Sequence, residues 1–470
     1  MNNIVVIGAG PAGTGCAYEL AKGGYPSLVI EKAEVAGGLC RTLNFNGYLF
    51  DIGGHRFLSY SQEVNALWRQ ILREDLLRVK RLSRIYYRKK YFNYPLNFLN
   101  TFWNLGPLES AACIGSYLKC KYSRPGDDST FEGWVINRFG DRLFNIFFKS
   151  YTQKVWDLEC QDISSDWARQ RISGLSLRVA LQKALLGIKG DSPKTLCEEF
   201  LYPQAGPGQF CGRLQKTVSD LGGIFKFNSR VIGIRHDDKR IHSVIIESRL
   251  DGKREEIPAD YLFSSMPLPT FIKSLLPLPP QEVIKASGKL GFRSFIVVNI
   301  ILDKEHIFPD QWLYIHSPEV KLSRIQNYKN WSAGMVDDSK KTSLGLEYFC
   351  NEADSLWMMN DVDLVDFALG ELEKIGIISR RHLINAFVVR AADAYPVYAL
   401  DYLRNIEIVR SYLRRFPNFQ AMGRAGLFRY CNSDYALLTG IYSAKNLLGY
   451  EAVDIWADAM SNQASSYHSA

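Results

Sequence analysis

Gly8, Gly10 and Gly13 stand in the spacing G-x-G-x-x-G, between the apolar run Ile4–Ile7 and a helical pattern over Thr14–Lys22. This is chemistry done by backbone. The first glycine permits a tight turn, the second lets main chain approach a pyrophosphate, and the third lets helix and strand pack closely. Gly10–Ala12–Gly13 would open a helix whose N-terminal N–H groups and partial positive charge face the phosphates. A second apolar run, Ser27–Glu31, ends in an acid eighteen residues beyond Gly13. A carboxylate there is placed to accept hydrogen bonds from ribose hydroxyls. Strand, glycine turn, helix, strand and acid together predict a dinucleotide-binding βαβ unit at the start of the chain.

The elements that must hold this unit are scattered along the sequence. Arg84–Phe92 reads as a hairpin with a basic turn, and residues 98–200 read as mostly helical, with amphipathic pieces at Phe131–Phe139 and Leu143–Phe148. Strands return after Gly222–Gly223: Ile224–Phe227, Val231–Arg235, and a hairpin of Ser243–Leu250 with Glu256–Ser265 around Asp251–Gly252. A proline cluster from Pro267 to Pro280 marks a boundary. Phe295–Leu302, Trp312–Ile315, Leu344–Phe349 and Leu383–Arg390 predict a larger sheet with a helix, Val362–Lys374, beside it. The end returns to α/β texture, with helices at Asn405–Arg415 and Tyr435–Leu448 around a strand, Phe419–Met422. The nucleotide fold is therefore expected to be discontinuous, left twice and re-entered.

Composition bounds the function. The 470 residues are 47% hydrophobic and 23% charged, which excludes a disordered or collagenous chain. Aromatics reach 13%, which suits a planar ligand and an ordinary core equally. A net charge of +8 favours anionic partners, but no basic block is long enough to argue for nucleic acid. Nine cysteines without a C-x-x-C pair argue against a zinc ribbon or a disulfide scaffold. Reduced thiols and the lack of a signal-like N-terminus lead us to expect a cytoplasmic protein without a transmembrane segment.

The segment after Glu31 narrows the nucleotide. Gly37–Gly38–Leu39–Cys40–Arg41 resembles the second glycine motif of FAD-dependent amine-oxidase-like proteins. Next, Gly53–Gly54–His55 resembles a loop of UDP-galactopyranose mutases, particularly the eukaryotic-type branch. Further segments agree in order. They are Tyr94–Pro95–Leu96–Asn97, Tyr151 to Trp156, Trp167 to Arg171, Tyr202 to Gly208, Trp312–Leu313–Tyr314 with Arg324 and Trp331, Gly423 to Tyr430, and Asn432–Ser433–Asp434 with Gly440. The resemblance spans nearly the whole chain. It implies an α/β fold: a discontinuous Rossmann-like FAD-binding domain (residues 1–85, 201–266 and 396–470) with a helical insert (86–200) and an antiparallel-sheet insert (267–395).

The resemblance also implies roles. Lys32, Gly37, Gly38, Leu39, Arg41, Gly54, His55, Arg424, Asp434, Tyr435 and Gly440 join the glycine motif, Ala12 and Glu31 around FAD. Tyr94, Asn97, Phe147, Thr152, Trp156, Arg171, Tyr314, Arg324, Trp331, Tyr395 and Tyr430 fall to a nucleotide-sugar substrate. Arg171 and Arg324 match the family's diphosphate pair, a task for which the planar guanidinium fork is better suited than an ammonium group. His55 would lie beside the flavin. The implied reaction exchanges pyranose and furanose forms of the sugar through an adduct at N5 of reduced flavin, with NADH or NADPH as reductant. Asn97, Thr152 and Trp331 depart from the family pattern, which leaves the base and the sugar open. Two readings from other classes stay beside this one: an amine-oxidase-like oxidoreductase or desaturase, and a flavin-bearing binding protein. A homo-oligomer is also open.

Overall fold

The computed structural model describes residues 3–96, 98–172 and 198–460, without the side chains of residues 98, 171, 172 and 458–460. At its centre lies a five-stranded sheet in the order Phe419–Ala421, Tyr261–Ser264, Ile4–Ile7, Leu28–Ile30 and Ile224–Lys226. Every neighbouring pair is parallel. Ile4–Ile7 sits in the middle and all four of its residues are buried. That explains why this run is continuously apolar rather than alternating. The first helix, Pro11–Lys22, packs on this sheet and against the last long helix, Ser433–Leu448. The chain returns to the sheet from several distant stretches, so the fold is α/β and discontinuous.

A second sheet orders Arg254–Pro258, Ile241–Ser248, Ser229–His236 and Leu275–Leu276. Here the structure corrects the expected hairpin. Glu256–Ser265 is not one strand. Pairing with Ile241–Ser248 stops at Pro258, and Tyr261–Ser264 leaves to become a neighbour of Ile4–Ile7. Proline has no N–H to continue a ladder, and the buried Leu262–Phe263 pair gains more in the central sheet.

The third sheet has seven strands, in the order Leu383–Pro396, Phe292–Leu302, Thr342–Cys350, Arg324–Asn327, Trp312–Ile315, Ser83–Tyr87 and Lys90–Asn93. The early hairpin is thus part of the large sheet, joined by parallel pairing of Ser83–Tyr86 with Trp312–Ile315. Glu199–Pro203, at the end of the stretch expected to be helical, is a strand paired with Leu76–Lys80. Leu143–Phe148 is not a regular α-helix: a single α turn runs into a π-helical turn at Phe144–Lys149. A further hairpin, Thr42–Phe45 with Tyr48–Asp51, turns on Asn46–Gly47, both at positive φ. It leads straight into the Ile52–His55 loop and so positions that loop. The eight described cysteines are all free and buried. No helix among the described residues is long and apolar enough to cross a membrane.

Candidate active site

The glycines after Ile7 form a cradle in which Gly8 and Gly13 leave no room for a side chain. A Cβ on Gly13 would lie 1.7 Å from the Gly8 carbonyl oxygen, and one on Gly440 would lie 1.9 Å from that of Ala12. Gly10 and Gly38 face each other so closely that a Cβ on Gly38 would stand 3.3 Å from the Gly10 Cα. Gly8, Gly37 and Gly38 all have positive φ, which a side chain would strain. No side chain caps the helix that begins at Pro11, so its first N–H groups remain available to an anion. This shape fits a dinucleotide pyrophosphate. The Glu31 carboxylate is buried and accepts from the Ala9 N–H at 2.7 Å and the Ala33 N–H at 2.9 Å. It therefore ties the glycine loop to the end of the second strand, with lone pairs remaining for a ribose. Arg41 Nε donates to the Gly38 carbonyl at 2.9 Å, stiffening the second glycine turn.

The cradle is joined to a cleft over the interior strands Trp312–Ile315 and Arg324–Asn327 of the seven-stranded sheet. His55, Trp312, Tyr314, Arg324, Trp331, Tyr395, Arg424 and Tyr430 line it, with Gly54 and Gln326 at its wall. His55 Nε2 lies 2.9 Å from the Ile52 carbonyl, so in the neutral ring this nitrogen carries the proton. Its Nδ1 faces Cys40 Sγ at 3.8 Å. Burial, and then the nearby Arg424 cation, push the His55 pKa down to about 4. The ring is neutral at neutral pH. Burial drives the Cys40 thiol up to about 12, so it is not a nucleophile.

Arg324 is held by Glu347, a fully buried carboxylate, and Arg324 Nη2 donates to the Tyr395 hydroxyl at 3.2 Å. Burial opposes the Arg324 charge, but Glu347 and the surrounding phenols keep its pKa above the ordinary range. Gln326 Nε2 donates to the other Glu347 oxygen at 2.6 Å. Arg424 is anchored differently: Nε and Nη2 donate to the Cys431 carbonyl at 2.9 and 2.5 Å, and Nη1 to the Ala394 carbonyl at 3.2 Å. Its guanidinium lies 5.0 Å from the centroids of both Tyr395 and Tyr430, whose rings stack on each other at 5.6 Å.

The structure brings His55, Tyr314, Arg324, Trp331, Tyr395, Arg424 and Tyr430 together. Tyr94 stands behind Tyr314, ring to ring at 4.9 Å. Trp156 is buried a row further back, against Trp167, which packs on Tyr430. Phe147 is buried against Phe92 and Tyr87 of the early hairpin, and Thr152 is likewise buried; neither lines the cleft. Asp434 and Tyr435 lie in the first turn of Ser433–Leu448, beside the cleft residues Asn432 and Ser433. The Lys32 carbonyl accepts from Arg249, and Leu39 packs partly buried behind the glycine turn. Asn97 lies outside the described residues, and so does the side chain of Arg171, the last but one residue of the helix Ser165–Ile172. Glu347 and Gln326 were not foreseen. The available signal was a lone acid in Thr342–Cys350, a strand buried at every position, where a carboxylate must have a partner. No cluster able to hold a metal occurs among the described residues.

The family model described as flavin containing amine oxidoreductase matches residues 11–423. Curated relatives include the phytoene desaturase of Phycomyces blakesleeanus, 24% identical over 298 residues, covering 58% of this chain and 50% of that protein. Another is the "Probable UDP-galactopyranose mutase" of Klebsiella pneumoniae, 27% identical over 173 residues, covering 34% of this chain and 42% of that one. The chain spans about half the length of these curated relatives. Among solved structures it is similar to reduced UDP-galactopyranose mutase, with a TM-score of 0.85 and 22% identity, covering 99% of this chain and 98% of that one. It is also similar to a putrescine oxidase variant redesigned in cofactor binding, with a TM-score of 0.62, 16% identity, and coverage of 96% and 99%. At such identities the structures speak for the fold, in which cradle and cleft share one frame. The family match covers most of the chain, and with it this protein belongs to the flavin containing amine oxidoreductases.

Proposed function

We propose that the chain is a flavin-dependent sugar-nucleotide mutase that exchanges pyranose and furanose forms of an NDP-sugar with no net redox change. The observation that carries this reading is the polar wall of the cleft, where Arg324 and Arg424 stand with Tyr314, Tyr395 and Tyr430. A hydrocarbon substrate would strip water from these groups and offer nothing in return. A diphosphate offers acceptors to guanidinium and phenol alike. Arg324 Nε, buried and without a hydrogen-bond partner among the described residues, supports the same reading.

FAD suits the cradle, and when bound and reduced it supplies the nucleophile toward the anomeric carbon of the sugar. The protein's own part is electrostatic and geometric. Arg324, with Arg171 as the expected second cation, holds the leaving diphosphate as its charge grows. Tyr314 and Tyr430 donate to the same group. The aromatic wall of Trp312 and Trp331 excludes water. Neutral His55 adds no competing positive charge beside the flavin. NADH or NADPH remains our proposed reductant, and the helical and sheet inserts remain the proposed boundaries of the substrate region.

One observation favours the oxidoreductase reading instead: the Arg324 charge is already offset by Glu347. Dithionite-reduced protein tested against a panel of nucleotide sugars separates the two. We expect many turnovers per reduced flavin without further reductant. Consumption of one reductant or one oxygen molecule per product would overturn the mutase assignment.

A further inference from the structure

Two helices that do not line the cleft leave an apolar face uncovered by any of the described residues. In Pro107–Ser123 the buried positions are Ser110, Cys113, Tyr117 and Cys120, which form the inner stripe. Opposite them, Leu108, Ala111, Gly115, Leu118 and Tyr122 follow a 3-4-3-4 spacing, and all five are exposed. Leu108 is 87% exposed and Tyr122 85%. On the preceding helix, Phe98–Leu105, the side chains of Leu99 and Trp103 lie one turn apart on one face, and Trp103 is 74% exposed. An amphipathic helix ordinarily turns its apolar stripe inward. This one has apolar residues outward as well.

The surroundings are basic. From position 88 to 124 the chain carries Arg88, Lys89, Lys90, Lys119, Lys121 and Arg124 and a single acid, Glu109. All six cations are exposed. Glu109 is neutralised by Arg142, which grips it with two bonds of 2.6 and 2.8 Å. By helical periodicity Lys119 and Lys121 flank the apolar stripe on opposite sides, so their stems can lie along it while their ammonium groups reach outward.

We propose that this face docks on an anionic lipid bilayer, lying in the interface without crossing it. An exposed apolar stripe bordered by cations, with Trp and Tyr among the outward residues, matches what the headgroup boundary accepts. Charge selects this occupant over a second copy of the chain, since an isologous contact would set six cations against six. The surface is distinct from the cleft, so its fate does not depend on the reaction assigned there.

The test uses the full-length, flavin-loaded protein and co-sedimentation with vesicles. We expect binding to phosphatidylglycerol mixed with phosphatidylcholine, little to phosphatidylcholine alone, and weakening with salt. K119Q together with K121Q should lower partitioning about 30-fold. L108S together with L118S should lower it about tenfold on the same vesicles. Both pairs replace exposed side chains, so flavin absorbance and thermal unfolding should match wild type. Equal binding to both vesicle types, no binding to either, or variants that bind like wild type would overturn the proposal. So would a lipid-free dimer, seen by sedimentation equilibrium, that L118S converts to monomer, since the covering partner would then be a second copy.

Discussion

The glycine cradle and the arginine cleft are both built to receive negative charge, but by opposite means. The cradle uses main chain, tied by the one carboxylate of Glu31, with steric limits so tight that one methyl at Gly440 would lie 1.9 Å from a backbone oxygen. The cleft uses side chains from distant stretches: Arg324 is held by Glu347 and Tyr395, and Arg424, bonded to the Cys431 and Ala394 carbonyls, lies over the rings of Tyr395 and Tyr430. A site of backbone fails through shape. A site of side chains fails through unpaired charge, and its parts can be exchanged in pairs.

The largest expected effect follows from that second property. Arg324→Ala leaves Glu347 buried without its cation, at a cost of about 3–5 kcal/mol in stability. Adding Glu347→Gln should recover most of this loss, because the amide needs no counter-charge and Gln326 remains beside it. Nucleotide-sugar affinity should stay low in the double variant. Urea unfolding and ligand titration on the same samples measure the two separately. Recovery of both would show that Arg324 serves only the fold, and the diphosphate assignment would fall.

The cradle should show no such rescue. Gly440→Ala forces Ser433–Leu448 away from Pro11–Lys22 and should cost about 3 kcal/mol, with loss of bound flavin. The same methyl at Gly54, by the cleft, would meet the Gln326 side-chain amide first, at 2.9 Å. There we expect about 1 kcal/mol and retained flavin absorbance. Equal losses at the two glycines would erase the distinction between backbone and side-chain sites.

A smaller effect lies where the regions join. His55, with its pKa lowered to about 4, and Asp51, raised by burial to about 7, sit four residues apart. As pH falls below the ordinary histidine value, the unfolded chain takes up a proton that folded His55 refuses, so stability drops. Over the same range folded Asp51 takes up a proton that the unfolded carboxylate refuses, so stability rises. Each contributes about 2 kcal/mol between about pH 7 and pH 5, with opposite sign. Asp51→Asn should therefore lose stability on acidification more steeply than wild type, and His55→Gln less steeply. Parallel pH profiles for all three proteins would mean that one of these groups keeps its ordinary protonation.

These differences also explain what could be read from the sequence. Gly8, Gly10, Gly13 and Glu31 act within one βαβ unit, so their spacing alone revealed the cradle. The cleft joins residues 314, 324 and 395 of one sheet with 55, 424 and 430 of distant connections, and no local spacing encodes such a meeting; only resemblance to known motifs suggested it. Glu347 was missed because an acid in a strand carries no mark of its partner until the neighbouring strand is in register. Tyr261–Ser264 was mistaken for hairpin because alternation looks alike in a strand that stays and one that leaves. Phe147 was assigned to substrate because a motif preserves sequence neighbourhood, whereas in the structure it lies within the π-helical turn Phe144–Lys149 and is buried with Tyr87 and Phe92.

The smallest effect is expected at Tyr395, where the cleft's side-chain network can be loosened by a single oxygen. Tyr395→Phe keeps the ring, its stacking on Tyr430 and its contact with Arg424, and removes only the hydroxyl that accepts from Arg324 at 3.2 Å. Arg324 still has Glu347, so the loss should stay near 1 kcal/mol in stability. Nucleotide-sugar affinity should fall about fivefold, because the guanidinium is less firmly aimed. Flavin content should not change, since the cradle makes no use of this oxygen. A loss in affinity of more than about 100-fold would exceed one hydrogen bond and make the hydroxyl itself a direct partner of the substrate. No change in affinity, alongside a normal loss in stability, would mean that Arg324 is aimed by Glu347 alone, and the network would shrink to that pair.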